Sequence, residues 1–145
     1  MNEKIKEILS KYKTIAIVGV SKDYKKPSTI VMKYMQKYGF KVIPVNPSAK
    51  GQKILGEEVF GKLEDIKTSI DIVDVFRPST EATKYAEESV KIGAKVLWLQ
   101  LGIKSLEAKE LVENNNIEYI ENRCTKMEYQ KLFLNINPAF PVLQN

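Results

Sequence analysis

The 145-residue chain has no histidine and a single cysteine. The first absence removes the commonest general base and metal ligand near neutral pH, and with it every catalytic triad built on imidazole. The second excludes an internal disulfide framework and a cysteine-rich zinc site. No apolar run approaches the ~20 residues of a membrane span. The stretch ahead of Thr14 alternates charged with apolar residues and lacks a signal-peptide core, so a cytoplasmic protein is expected. Internal repeats, low-complexity tracts and linkers are also missing, and the length suits one well-cored domain over residues 1–145. Net charge is only +5. That balance suits an anionic small molecule, whereas nucleic acid binding needs a concentrated basic face.

What is present is organised around residues 14–28. Thr14 to Val18 is a short β-branched run, as expected of a strand buried on both faces of a parallel sheet. It stops at Gly19, which permits a tight turn and close approach of a ligand to the backbone. A polar loop follows through Val20, Ser21, Lys22, Asp23, Tyr24, Lys25 and Lys26 to Pro27 and Ser28. Proline suits the first turn of a helix and serine its cap. Strand, glycine turn and helix start together predict an anion site, with free backbone N–H groups and the helix dipole aimed at one spot.

Along the rest of the chain, Ile5, Ile8, Leu9 and Tyr12 mark an amphipathic helix over residues 3–12. Ile30, Val31, Tyr34, Met35 and Tyr38 mark a second, ending near Gly39. Residues 40–45 read as a strand stopped by Asn46-Pro47, and residues 48–56 as an exposed loop. A short strand is expected near 57–60, with a turn through Leu63 and Ile66. The next strand runs to Phe76, its alternation spoiled by Asp71 and Asp74. Residues 77–81 lead into a capped helix with Ala82, Tyr85, Ala86, Ser89 and Val90 inward, closed by Gly93. Residues 95–101 form the most apolar strand, with Trp98 in the core. A helix bearing Leu106, Leu111 and Val112, a strand at 117–120 and a helix bearing Met127, Tyr129, Leu132 and Phe133 complete the pattern. The tail from Asn135 to Asn145 has little periodicity.

Strands alternating with helices at this spacing predict an α/β fold: Rossmann-like, doubly wound, with a mainly parallel sheet and helices on both faces. Such a sheet binds its ligand beyond the carboxyl ends of the strands, where the strand order reverses. Those ends are Gly19–Ser21, Asn46–Pro47, Phe76–Arg77–Pro78, Gln100–Leu101–Gly102 and the residues up to Cys124.

A dinucleotide fingerprint would place further glycines where Ser21 and Tyr24 stand. The second strand ends in Val45-Asn46-Pro47 instead of the acid that holds an unmodified ribose, with Lys50 and Lys53 just beyond. Those lysines favour a phosphate on the ribose, so NADP or coenzyme A is expected over NAD.

The stretches IAIVGVS (15–21), YGFKVIPVNP (38–47), ILGEEVF (54–60), DIVDVFRPS (71–79), GAKVLWLQLGI (93–103) and ENRCTKMEYQKL (121–132) resemble the family of small stand-alone coenzyme A-binding proteins. That family is itself similar to the N-terminal domain of the succinyl-CoA synthetase α subunit. The resemblance implies a small-molecule nucleotide ligand, coenzyme A or an acyl-CoA. It implies phosphates held by Ser21, Lys22, Asp23 and Tyr24, the adenosine end near Lys50, and the pantetheine arm along Leu99, Gln100 and Leu101. The ligase reaction is not implied, because the chain has no second domain and no histidine to phosphorylate.

Each of these residues also has a plainer reading. The lysines of the 22–26 loop can be merely solvated, Asn46-Pro47 merely a turn, and Arg77 a strand stop or an interface partner. Cys124 can be an inert core thiol, or one whose pKa Arg123 and Lys126 depress near the pantetheine end. Asp23 and Glu81 stand alone as acids, so no catalysis is assigned. The alternatives to a binding protein are an NADP-dependent reductase, for which no substrate domain is present, and an adaptor whose surface responds to its ligand.

Overall fold

A computed structural model describes residues 1–141. Five parallel strands form the sheet: β1 (Thr14–Val18), β2 (Lys41–Val45), β5 (Ile72–Val75), β6 (Val96–Leu99) and β7 (Glu118–Ile120). A separate antiparallel ribbon joins β3 (Lys53–Ile54) to β4 (Glu57–Glu58). The order across the main sheet is β2-β1-β5-β6-β7. Progression outward from β1 therefore goes one way to β2 and the other way to β5, so the reversal lies between β1 and β5. This is the expected doubly wound α/β architecture.

Helices cover both faces. On one lie α1 (Asn2–Lys11), α2 (Pro27–Lys37) and α5 (Thr125–Phe133), and on the other α3 (Ala82–Ile92) and α4 (Leu106–Glu113). Ile15, Ile17, Ile72, Val96 and Trp98 point to the first layer, while Ala16, Val18, Val73, Val75, Leu97 and Leu99 point to the second. Alternate residues of each strand thus feed two cores, which is why these runs are apolar throughout instead of alternating. Trp98 is fully buried and its Nε1–H donates to the Arg123 carbonyl at 2.8 Å, as a buried indole requires. Pro44 is tolerated in β2 because that strand lies at the sheet edge.

Several local expectations need correction. Residues 48–56 are not simply an exposed loop. They hold a 3-10 turn at Pro47–Ala49 and strand β3, with Ala49 and Ile54 buried. Ser28 does not cap α2; the N-cap is Lys26, and Ser28 lies buried within the first turn. The helix after residue 81 has no side-chain cap, being preceded by a 3-10 turn at Ser79–Glu81. Leu106 is 69% exposed, because it opens α4, whose inward face is formed by Ala108, Val112 and the half-buried Leu111. The tail is tied down in part: Lys126 Nζ donates to the Ala139 carbonyl at 3.0 Å, and Gln130 Oε1 accepts from Ala139 N at 2.9 Å. Residues 142–145 of that tail lie outside the described residues.

Candidate functional site

At the carboxyl ends of β2, β1 and β5, where the strand order reverses, a cleft of about 660 Å³ opens. Gly19 forms its base with φ +91°, and its N–H donates to the Val45 carbonyl at 2.9 Å. A Cβ at this position would lie 2.8 Å from the Phe76 carbonyl oxygen and 3.0 Å from Arg77 Cδ. Only glycine satisfies both the dihedral and the space. Asn46 locks the neighbouring wall. Its Nδ2 donates to the Val20 carbonyl at 2.8 Å, while its Oδ1 accepts from Ser48 N at 2.9 Å. One asparagine thus fixes the glycine turn against the turn after β2.

The loop from Ser21 to Lys26 is held by its own polar groups. Ser28 Oγ accepts from Ser21 N at 3.1 Å, and Thr29 Oγ1 donates to the Ser21 carbonyl at 2.7 Å. Ser21 Oγ accepts from Asp23 N at 3.0 Å, Asp23 Oδ1 from Lys25 N at 2.9 Å, and the Asp23 carbonyl from Lys26 N at 3.0 Å. The amides of Ser21, Asp23, Lys25 and Lys26 are therefore already engaged. The expectation of free backbone donors along this whole loop fails on that point. Asp23 is a structural acid that shapes the loop, and the positive charge at the cleft comes from side chains.

Those side chains come from two directions. Lys22 enters from the loop, and Arg77 and Lys84 from the segment after β5. Arg77 is forked onto Glu81, with Nη2 to Oε2 at 2.8 Å and Nε to Oε1 at 3.2 Å. This hydrogen-bonded guanidinium holds the Glu81 carboxylate below its ordinary pKa, and Glu81 raises Arg77 in return. Ser48, Glu81, Lys84 and Tyr85 were not anticipated as lining residues. Glu81, Lys84 and Tyr85 stand at i, i+3 and i+4, so once α3 is placed beside the crevice its helical period identifies this face.

Of the residues expected at the site, Gly19, Val20, Ser21, Lys22, Asp23, Asn46, Pro47 and Arg77 line the cleft. The others do not converge there. Tyr24 turns to a second groove, where its hydroxyl accepts from Leu55 N at 3.3 Å. Lys26 is exposed beside it, and Ser28 is spent on Ser21. The Lys50 stem lies across Gly61, whose Cβ would sit 3.2 Å from Lys50 Cδ. Phe76 packs into the core and Pro78 begins the 3-10 turn. Leu99 is fully buried, while Leu101 is exposed and Gly102 donates to Asn122 Oδ1 at 2.7 Å.

Gln100 and Cys124 are drawn inside. Gln100 Nε2 donates to Asp74 Oδ1 and to Thr125 Oγ1, and Thr125 Oγ1 donates to Asp74 Oδ2 at 3.1 Å. All three residues are buried, and burial pushes the Asp74 carboxyl up to about 7 against the opposing pull of those bonds. Cys124 is 2% exposed and burial raises its thiol to about 11. Of the two readings for Cys124, the inert core thiol fits: desolvation outweighs the lowering effect of Lys126.

With this geometry, the chain can be set beside known proteins. Residues 13–130 match the model of a family described as a CoA binding domain. The chain is 38% identical over 125 residues to the uncharacterized protein YneT of Bacillus subtilis (strain 168), covering 86% of this chain and 91% of that protein. It is 28% identical over 136 residues to an ADP-forming acetate–CoA ligase of Methanocaldococcus jannaschii, covering 88% of this chain but only 19% of the ligase. Among solved structures, cell-free ID.343 from Thermus thermophilus superposes with a TM-score of 0.87 at 34% identity, over 92% of this chain and 99% of that one. A family match over residues 13–130, joined to a parallel sheet whose reversal point opens into a polar cleft, assigns this chain to the CoA-binding domain family.

Proposed function

We propose that the chain binds coenzyme A or an acyl-CoA, with the diphosphate over Gly19 and the Ser21–Asp23 loop. The observation that carries this reading is the convergence on one cleft, at the reversal point of the sheet, of three basic side chains, Lys22, Lys84 and the Glu81-paired Arg77. Basic side chains on more than one wall suit a ligand bearing several phosphates. The acetate–CoA ligase relative names the same ligand, although this chain spans too little of it for the ligase activity to follow. In this reading the pantetheine arm lies outside the interior network that takes up Gln100 and the buried Cys124.

Calorimetric titration with coenzyme A, NAD and NADP tests the reading. Coenzyme A is expected to bind most tightly. NAD or NADP binding at least as tightly would overturn it in favour of a dinucleotide protein.

A further inference from the structure

A second concavity lies on the far side of the 21–26 loop, over the outer face of α2. It encloses about 650 Å³. Ile30 and Tyr34 form its base, with Tyr24 and Leu55 as walls. Ile30, Lys33, Tyr34 and Lys37 fall at i, i+3, i+4 and i+7, so one continuous stripe of α2 runs the length of the groove. The seven-step rise from Ile30 to Lys37 gives it a length of roughly 10 Å. Lys25, Lys33 and Lys37 rim it, all three exposed, and no acidic residue lines it. Behind the Tyr34 ring lies the buried Lys126, its Nζ 5.0 Å from the ring centroid. The groove is thus apolar in its walls and positive at its edge.

Leu55 forms the wall that faces α2. It occupies the tip of the β3–β4 ribbon with φ +50°, followed by Gly56 at φ +82°. Two consecutive positive dihedrals are the hairpin geometry that Asn-Gly ordinarily fills. A leucine there is strained, and its half-buried side chain packs, like that of Tyr34, against the core on this side of the sheet. Its backbone is pinned from both sides: Gln36 Nε2 donates to its carbonyl at 3.2 Å, and its N–H donates to Tyr24 Oη at 3.3 Å. The strained leucine places an apolar wall opposite α2.

We propose that this groove binds an elongated amphiphilic carboxylate, an apolar chain lying along Ile30, Tyr34 and Leu55 with its anionic head at Lys33 and Lys37. Apolar walls supply the burial of the chain, and the lysine rim selects the charge. A neutral chain of equal length lacks the second contribution. The site is independent of the coenzyme A cleft, and shares with it only the intervening loop.

Amide chemical-shift titration with octanoate and with octanol reads both location and selectivity. Octanoate is expected to shift the Ile30, Lys33, Tyr34 and Leu55 amides saturably, and to bind about tenfold more tightly than octanol. The double variant Lys33→Glu with Lys37→Glu, confined to exposed positions, is expected to abolish that preference. Leu55→Gly suits the positive φ and so preserves the fold, and is expected to weaken both ligands about fivefold. The proposal is overturned if millimolar octanoate gives no saturable shift, if octanol binds as well as octanoate, or if neither variant changes binding. Failure of coenzyme A to bind would leave these outcomes unaltered.

Discussion

Gly19 and Phe76 meet where the sheet reverses: a Cβ on Gly19 would stand 2.8 Å from the Phe76 carbonyl oxygen. Neither strand end can easily retreat, since Phe76 N donates to the Val18 carbonyl at 2.9 Å and Gly19 N to that of Val45 at 2.9 Å. Gly19→Ala therefore combines an unfavourable dihedral with a backbone collision. The expected loss of stability is about 2 kcal/mol or more, measured by urea denaturation. Near-wild-type stability would mean that the strand ends part cheaply at the reversal point.

Asp74 makes stability depend on pH. Its folded pKa, about 7, is raised above its ordinary value of 3.8, chiefly by burial. The folded state thus holds a proton that the unfolded state releases. No stability is lost below pH ~4, and the loss grows as pH rises through the folded pKa. Between pH 5 and pH 8 the linkage amounts to roughly 2–3 kcal/mol. Asp74→Asn should flatten the profile, so that the variant gains on the wild type as pH rises. Parallel profiles for the two proteins in urea denaturation at pH 5 and 8 would assign the pH dependence elsewhere.

Cys124 should behave as an interior thiol. With 2% exposure and a pKa of about 11, it offers little thiolate and no path for a disulfide reagent. Reaction with an aromatic disulfide at pH 8 is expected to be at least about a hundredfold slower in the native protein than in urea. Intact-mass spectra after mild oxidation with coenzyme A should show no mixed disulfide. Rapid native labelling would place the thiol at the surface.

How much of this was legible in the sequence depended on the range of the interaction. The strands at 14–18, 72–75 and 96–99 are buried on both faces, so their apolar runs identify both the strands and the parallel class. The Gly19 turn and the crevice beyond it follow from the same local pattern. Other features depended on partners brought close only by topology. Asp74 meets Gln100 and Thr125 across separations of 26 and 51 residues, so it looked like a blemish in a strand when it is the centre of a buried network. Gln100 looked like a crevice residue for the same reason. The loop lysines were visible as charges, but the hydrogen bonds that consume the neighbouring amides depend on the loop's particular path. Lys84 was recoverable only after α3 had been placed beside the cleft.

The last prediction separates Lys84 from Lys50 as the phosphate contact. Lys84 lines the cleft from α3, across from Lys22, whereas Lys50 lies outside the lining with its stem across Gly61. A solvent-screened lysine–phosphate contact contributes on the order of 1 kcal/mol. Lys84→Ala should therefore weaken coenzyme A binding by roughly tenfold or less, and Lys50→Ala by less than about twofold. The ligand supplies the second half of the cycle. If Lys84 meets the ribose phosphate, its removal costs nothing further against 3′-dephospho-coenzyme A; if it meets the diphosphate, the loss is equal for both ligands. Raising salt should shrink the Lys84 effect and leave Lys50 unchanged. A larger loss for Lys50→Ala than for Lys84→Ala would move the adenosine end out of this cleft, past the turn after β2 and towards Gly61.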